Sequence, residues 1–179
     1  MIGAMRILVT GGVRSGKSTH AEGLLGDEPA TYVAAGPSPD DDADPDWVAR
    51  IAAHRARRPD SWSTVETQEL ARVLHEARVP VLVDCLGTWL TAVIDAAAAW
   101  DQDSDTVHAL VLDRTDELVE AVRTCAHDVV LVTNEVGLGV VPEHRSGRLF
   151  RDLLGLVNQR VGSVCDEVHL VVAGRVLRL

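Results

Sequence analysis

The sequence contains few aromatic residues and only three cysteines. Aromatic residues make up 3% of the 179 residues, although hydrophobic residues make up 46%, so the core must be aliphatic. Cys85, Cys125 and Cys165 are far apart in the chain and odd in number. This pattern excludes a disulfide framework or a zinc-finger spacing and predicts buried, reduced thiols in a cytoplasmic protein.

Positive charge and long apolar runs are also scarce. The chain has 17 Lys and Arg against 27 Asp and Glu, a net charge of -10, which argues against general nucleic-acid binding. No apolar run reaches the roughly 18 residues of a membrane span, and no signal-peptide pattern precedes the first strand. We therefore expect one globular domain over residues 1–179 with no integral membrane segment.

Short β-rich runs alternate with helical periodicity along almost the whole chain. Such alternation predicts an α/β fold whose mainly parallel sheet has helices on both faces, and a closing hairpin through Gly174 predicts an antiparallel edge. The predicted strands are 5–10, 30–36, 79–84, 129–133, 167–173 and 175–179. The predicted helices are 15–25, 46–58, 68–78, 86–100, 105–126 and 144–164, with a Pro- and Asp-rich loop at 37–46.

The first strand leads into a phosphate-binding motif. The stretch fits G-x-x-x-x-G-K-[ST] without a gap and has the strand before it and the helix after it that this motif requires. Backbone N–H groups would surround phosphate oxygens, Lys17 would reach the β and γ phosphates, and the Ser18 hydroxyl would ligate Mg²⁺. The predicted nucleotide-binding residues here are Gly11, Gly12, Val13, Arg14, Ser15, Gly16, Lys17 and Ser18.

Other polar positions follow the predicted strands at the same edge of the sheet. Asp84 ends its strand and is the natural second group for Mg²⁺, although it could merely cap the next helix. Asn134 and Glu135 follow another strand directly, in a glycine-containing loop, and are predicted to face the substrate.

The stretch HRARRP, residues 54–59, reverses the sign of charge locally. On a helix, Arg50, His54 and Arg57 lie on one stripe, because their spacing is i, i+4, i+7. The helix dipole explains the arginines without function, but it does not explain the histidine. His54 could donate a hydrogen bond to phosphate or, when neutral, attack phosphorus as a nucleophile.

Four segments together resemble one family: RILVTGGVRSGKSTHAE, HRARRPDSW, VDCLGTWLT and TNEVGLGVVPEHRSGRLFRDLLGLVNQRV. The chain is similar, essentially end to end, to the bifunctional adenosylcobinamide kinase / adenosylcobinamide-phosphate guanylyltransferases of cobalamin biosynthesis. The resemblance implies a RecA-like P-loop NTPase fold and a homotrimer. It also implies phosphorylation of adenosylcobinamide by ATP or GTP, followed by transfer of GMP from GTP to the new phosphate.

The resemblance further implies that the transferred GMP passes through a guanylylated histidine, which corresponds to His54 here. Two departures from the family pattern stand out. The loop 37–46 is unusually rich in Pro and Asp, and Asp84 is one methylene shorter than the Glu of some members. Besides the phosphate loop, the family's nucleotide contacts correspond to Ala34, Ala35, Gly36, Arg55, Ala56, Arg57, Arg58, Glu66 and Asp84.

In the resulting hypothesis, His54 attacks the α-phosphorus of GTP while Lys17, Mg²⁺ and nearby arginines stabilise the leaving pyrophosphate. Two alternatives stay open. The protein could be another small-molecule P-loop kinase without nucleotidyl transfer, or a P-loop switch that hydrolyses nucleotide slowly to regulate a partner.

Overall fold

A computed structural model describes residues 3–36, 49, 52 and 55–179 of the chain. Several predictions fall outside these residues. They are the acidic loop at 37–46, most of the first half of the helix predicted over 46–58, and the positions Arg50 and His54. Within that predicted helix, Ala49, Ala52 and residues 55–57 are helical.

A seven-stranded sheet forms the centre of the protein, in the order β3-β2-β4-β5-β1-β6-β7. Six strands run parallel and β7 pairs antiparallel to β6, so the predicted mainly parallel sheet with an antiparallel edge is confirmed. The strands are β1 Arg6–Gly11, β2 Thr31–Ala34, β3 Ser63–Glu66, β4 Val81–Asp84, β5 Val129–Val132, β6 Glu167–Val172 and β7 Arg175–Arg178.

Helices cover both faces of this sheet, as the alternating pattern predicts. The helices are α1 Lys17–Leu25, α2 Leu70–Glu76, α3 Leu86–Ala96, α4 Ser104–Thr124 and α5 Arg145–Gly162. Side chains from α2 to α5 form a large aliphatic cluster with residues such as Leu8 and Val83. On the other face, Ala21 of α1 joins a smaller cluster that contains Ile7 and Val9. Alternate residues of β1 thus enter opposite cores, as a strand's two-residue period requires.

One strand, β3, was not predicted from the sequence, and several helices are shorter than predicted. β3 has three exposed residues and one half-buried residue, so it lacks the apolar run that reveals the central strands. The helix predicted over 86–100 ends at Ala96, and the one predicted over 68–78 spans Leu70–Glu76. No helix among the described residues is long and apolar enough to cross a membrane.

One row of the sheet's register brings the carboxyl ends of four strands, β2 to β5, to the same level, and it crosses β1 two residues before that strand ends at Gly11. Glu66 of β3 pairs with Ala34, Ala34 with Asp84, Asp84 with Val132, and Val132 with Val9. The loops that leave these strands therefore emerge along one edge. In parallel α/β sheets this edge is where ligands bind.

Arg6, the first residue of β1, joins that strand to the carboxyl end of α4. Its Nε donates to the Val122 carbonyl at 2.8 Å and its Nη2 donates to the Arg123 carbonyl at 2.8 Å. These acceptors belong to the last turn of the helix, whose carbonyls lack intrahelical partners and carry partial negative charge. The guanidinium therefore caps α4 from a strand of the central sheet.

Replacing Arg6 by Met should lower the free energy of unfolding by roughly 1.5–3 kcal/mol, because half-buried carbonyls lose a charged donor. Urea denaturation followed by circular dichroism measures this change. Arg72→Met is the matched control, since Arg72 pairs with Glu76 on the surface at 3.3 Å with both side chains more than half exposed. Its effect should stay within about 0.5 kcal/mol. Equal losses in the two variants would contradict the capping role.

Candidate active site

The predicted phosphate loop connects β1 to α1, as its motif requires. Gly16 stands at the amino end of α1 with a φ of 95° and provides no side-chain cap. This left-handed conformation is one that glycine adopts without steric cost. Because no side chain caps the helix, the N–H groups of its first turn can meet a phosphate, which the helix dipole also favours.

The closing hairpin supports this loop from one side. A Cβ at Gly11 would lie 2.4 Å from the Val171 carbonyl oxygen and 2.7 Å from the Ser15 Oγ, so only glycine fits. In the turn between β6 and β7, the Gly174 N–H donates to the Ser15 carbonyl at 2.8 Å. The conformation of the phosphate loop therefore depends on the last two strands.

Lys17 lies against the loop that precedes it. Lys17 is only 5% exposed, and its Nζ donates to the Gly12 carbonyl at 3.2 Å. Ser18 follows in the first turn of α1 and is half-buried. The lysine cation and the serine hydroxyl thus share the amino end of one helix, next to the glycine-rich backbone.

Asp84 ends β4, as predicted, and its carboxylate has a defined partner. The Tyr32 hydroxyl donates to Asp84 Oδ2 at 3.3 Å. Burial, and then the negative charge of Asp84, raise the pKa of Tyr32 far above its usual value, so the phenol stays protonated and remains a donor. The peptide bond from Asp84 to Cys85 is cis.

The three arginines that follow position 54 contact two parts of the fold, the sheet and α1. Arg55 Nη2 donates to Glu66 Oε1 of β3 at 2.6 Å. Arg57 donates to both carboxylate oxygens of Glu22 in α1, at 3.0 and 3.1 Å. Arg58 also has side-chain partners, on the sheet. Side chains of the same chain therefore orient all three guanidiniums.

Arg58 lies over the second strand of the sheet. Its guanidinium carbon is 3.8 Å from the centroid of the Tyr32 ring, and its Nη1 donates to Thr64 Oγ1 at 2.7 Å. Burial is the main cause that lowers the pKa of Arg58, but the shift leaves the guanidinium charged at neutral pH. This cation–π contact connects the arginine segment to the tyrosine that binds Asp84.

A cleft of about 470 Å³ opens beside this arginine segment. Three of the predicted nucleotide contacts, Arg55, Arg58 and Glu66, line it together. The full lining consists of Arg55, Arg58, Pro59, Asp60, Trp62, Thr64 and Glu66. The lining of the cleft is polar and carries both positive and negative charges. It therefore suits a ligand with hydrogen-bonding groups better than an apolar ligand.

The turn after β2 lies next to Asp84 and Glu66. Ala34 pairs with both in the sheet register, Ala35 is fully buried, and Gly36 is half-buried. The Ala34 carbonyl accepts a hydrogen bond from the Thr67 N–H at 3.2 Å. The sheet therefore brings together predicted nucleotide contacts that lie up to 50 positions apart in the sequence.

Asn134 and Glu135 follow β5 beside the phosphate loop, and both have structural partners. The Glu135 N–H donates to the Gly11 carbonyl at 3.1 Å, and Glu135 Oε1 accepts from the Gly137 N–H at 3.0 Å. The Asn134 carbonyl accepts from Asn158 Nδ2 at 3.1 Å. Only the Glu135 carboxylate contact uses a side chain, because the Asn134 contact is through its backbone carbonyl. The substrate-facing role of both residues stays a prediction.

Two residues of α5 hold the rest of that loop. Arg151 donates to the Gly137 and Gly139 carbonyls, at 2.7 and 3.0 Å, and Asn158 Oδ1 accepts from the Thr133 hydroxyl at 2.6 Å. Their role was not predicted from the sequence, although both lie in the motif that carries the family resemblance. The loop keeps one shape because side chains of a helix bind its backbone carbonyls.

The sequence reading also missed Glu22, Tyr32 and Thr64, the partners of the arginine segment. No residue spacing indicates these contacts, because each joins distant parts of the chain. Only the position of Glu22, one helical turn after Ser18, could have suggested that its side chain shares a face with the phosphate site.

A parallel sheet with a glycine-rich loop between its first strand and helix is the architecture of the P-loop nucleotide-binding proteins. The similarity to a solved ATPase from the type III secretion system of pathogenic bacteria supports this class. The TM-score is 0.57 at 12% identity over 94% of this chain, which spans only 51% of the ATPase chain. At this identity the similarity shows the fold alone.

The chain belongs to the cobinamide kinase / cobinamide phosphate guanyltransferase family, whose model matches residues 7–179. It is 43% identical to the bifunctional adenosylcobalamin biosynthesis protein CobU of Escherichia coli, over 95% of this chain and 97% of that protein. The Salmonella typhimurium CobU is 41% identical, with the same two coverages. The CobP protein of Pseudomonas aeruginosa is 36% identical over 95% of this chain and 94% of its own length. The predicted family is confirmed.

Replacing Gly11 by Ala should weaken binding of ATP and GTP by about tenfold or more, because the new methyl group meets a backbone oxygen and must displace the loop. Isothermal titration calorimetry measures the affinity. Gly23→Ala is the control, since a Cβ at this position in α1 meets nothing within 4 Å. Unchanged affinity in a folded Gly11→Ala protein would show that the hairpin does not determine the shape of the loop.

Proposed function

We propose that this protein phosphorylates adenosylcobinamide with ATP or GTP and then transfers GMP from GTP to the product. Family membership over residues 7–179 carries this proposal, together with an intact phosphate loop at the end of β1. In the first reaction, the oxygen of the substrate hydroxyl attacks the γ-phosphorus, the hydroxyl proton leaves, and the nucleoside diphosphate departs. Lys17 and the first-turn N–H groups of α1 hold the transferred phosphate.

The second reaction proceeds in two steps through His54. A neutral imidazole nitrogen attacks the α-phosphorus of GTP, an N–P bond forms, and the bond to the bridging oxygen breaks to release pyrophosphate. An oxygen of adenosylcobinamide phosphate then attacks the same phosphorus, and the N–P bond breaks to return the histidine. The product is adenosyl-GDP-cobinamide. A histidine suits this role because its pKa lies near neutral pH, so the nucleophilic form is populated.

Mg²⁺ fits the donor chemistry of the site. The Ser18 hydroxyl and the Asp84 carboxylate would provide oxygen ligands, and the Tyr32 hydroxyl, which donates to Asp84 Oδ2, would orient that carboxylate. No three His, Cys, Asp or Glu side chains converge as a metal cluster within the described part of the chain. A Mg²⁺–nucleotide site does not require one, because phosphates and water fill the remaining positions. When bound, the ion would neutralise charge on the phosphates.

Three further assignments follow the same proposal. Arg55, Ala56, Arg57, Arg58 and Glu66 contact the nucleotide, and Asn134 and Glu135 face the corrinoid substrate. The cleft beside Arg55 and the hydrogen bond from Glu135 to the phosphate loop support these positions. The free thiols of all three cysteines support a cytoplasmic enzyme, since reducing compartments preserve free thiols.

Incubation of the protein with Mg²⁺ and GTP labelled at the α-phosphate should attach labelled GMP covalently to the protein. The adduct should be acid-labile and alkali-stable, because it is a phosphoramidate, and His54→Ala should abolish it. Acid and base treatment followed by gel autoradiography measures both properties.

His75→Ala is the matched control for this experiment, because His75 is an exposed histidine of α2. It should label like the parent protein. An adduct that persists in His54→Ala would overturn the assignment of the nucleophile. Phosphorylation of adenosylcobinamide without any adduct would mean that the protein is a kinase that does not transfer GMP through a histidine.

We further propose that the protein is a homotrimer, as the family resemblance implies. The edge strand β7 supports an interface, since its residues are exposed. Leu177 of the strand is 56% exposed, and Leu179, just after the strand, is 71% exposed. Sedimentation equilibrium should give three times the chain mass of 19.3 kDa. A mass of one chain at micromolar concentration would contradict this proposal.

A further inference from the structure

The ion pair between Glu22 and Arg57 joins two parts of the candidate active site. Arg57 Nε donates to Glu22 Oε2 at 3.0 Å, and Arg57 Nη2 donates to Glu22 Oε1 at 3.1 Å. The Glu22 side chain is 11% exposed and that of Arg57 is 38% exposed, so water screens the pair only in part. Two parallel N–H···O bonds of this kind restrict the orientation of both side chains as well as their distance.

Each partner is fixed to a different functional element. Glu22 lies in α1, one turn after Ser18, on the helix whose amino end forms the phosphate site. Arg57 lies in the segment of residues 55–57, which is helical, and comes three positions after the predicted nucleophile His54. The contact therefore connects the phosphate-binding helix to the chain segment that follows the histidine.

The partners of the neighbouring arginines lie on a different element. Arg55 binds Glu66 of β3, and Arg58 binds Thr64 of β3 and the Tyr32 ring of β2, so both are attached to the edge of the sheet. Arg57 instead reaches across to α1. A carboxylate in α1 is otherwise unfavourable beside a triphosphate site, because it repels the ligand. Pairing with a guanidinium removes that cost and explains why a glutamate is tolerated there.

We propose that Glu22 is a positioning residue for guanylyl transfer, because its bidentate pair with Arg57 holds the helical residues 55–57, which directly follow the predicted nucleophile in the sequence, against the phosphate-binding helix. This inference rests on the proposed function and adds a residue to it. The kinase reaction uses the phosphate loop and the corrinoid hydroxyl, so it depends on this contact less. Loss of the pair should therefore slow the two reactions unequally.

The test compares Glu22→Gln, Arg57→Gln and the double variant in two assays. One assay follows the single-turnover formation of the guanylyl adduct from α-labelled GTP. The other follows phosphorylation of adenosylcobinamide by γ-labelled nucleotide. We expect Glu22→Gln to slow adduct formation at least about tenfold more than it slows phosphorylation. The double variant should form the adduct no more slowly than the slower single variant, because both changes remove one contact.

Conservative variants distinguish positioning from folding. Glu22→Asp and Arg57→Lys keep the opposite charges but not the two-point geometry, so they should recover part of the rate of adduct formation. Glu120→Gln is the matched control, because Glu120 pairs with Arg123 in α4 at 2.7 Å, with both side chains more than half exposed. It should change neither reaction. Thermal unfolding confirms that each variant is folded.

Two results would overturn the inference. One is an equal slowing of both reactions in Glu22→Gln, and the other is a double variant whose loss equals the product of the two single losses. The second result would mean that Arg57 acts on the nucleotide independently of Glu22. Failure of the parent protein to form an adduct would refute the proposed guanylyl transfer instead, so the two failures are distinguishable.

Discussion

Backbone hydrogen bonding in the parallel sheet is the constraint on which the whole site depends. Four strands, β2 to β5, end within one register row at Ala34, Glu66, Asp84 and Val132, and this row meets β1 at Val9, two residues before that strand ends. A shift of one strand by one residue would move each of its side chains to the opposite face of the sheet, into the wrong core, so the aliphatic cores on both faces enforce the register. The cores thereby determine which side chains lie close enough together to contact one bound nucleotide.

Local charge balance makes a cationic segment compatible with an acidic protein. Arg55 and Arg57 each bind a glutamate of the same chain, and Arg58 lies over an aromatic ring. The guanidiniums are therefore oriented by the fold and are not simply solvated at a helix end. An arginine that already has a fixed direction loses less conformational entropy when it contacts a phosphate.

The central strands and the phosphate loop could be predicted from the sequence because their signals are local. Buried parallel strands such as β4 and β5 are short apolar runs, and the P-loop is a contiguous motif. β3 could not be found in this way, since a short and exposed edge strand has neither an apolar run nor a strict alternation. Without β3, the arginine partners Glu66 and Thr64 had no predicted location.

The function could be predicted from the sequence for a different reason. The order of several motifs resembles a family, and the family match extends over almost the whole chain. Geometry alone would indicate a nucleotide and phosphate transfer, because those follow from the loop, the lysine and the carboxylate. It would not indicate a corrinoid, since no local pattern among the described residues specifies such a large substrate. The contacts of Glu22, Arg151 and Asn158 required the folded arrangement, because each joins segments that are distant in sequence.

The position of β1 also has a consequence for how the protein is made. β1 is synthesised first, yet its neighbours in the sheet are β5 and β6, and the turn that supports the phosphate loop contains Gly174. During synthesis β1 therefore lacks both sheet partners until β5 has been translated, more than 100 residues later, and lacks β6 for longer still. The nucleotide site, although its motif begins at residue 11, is complete only after the turn at Gly174 has been made.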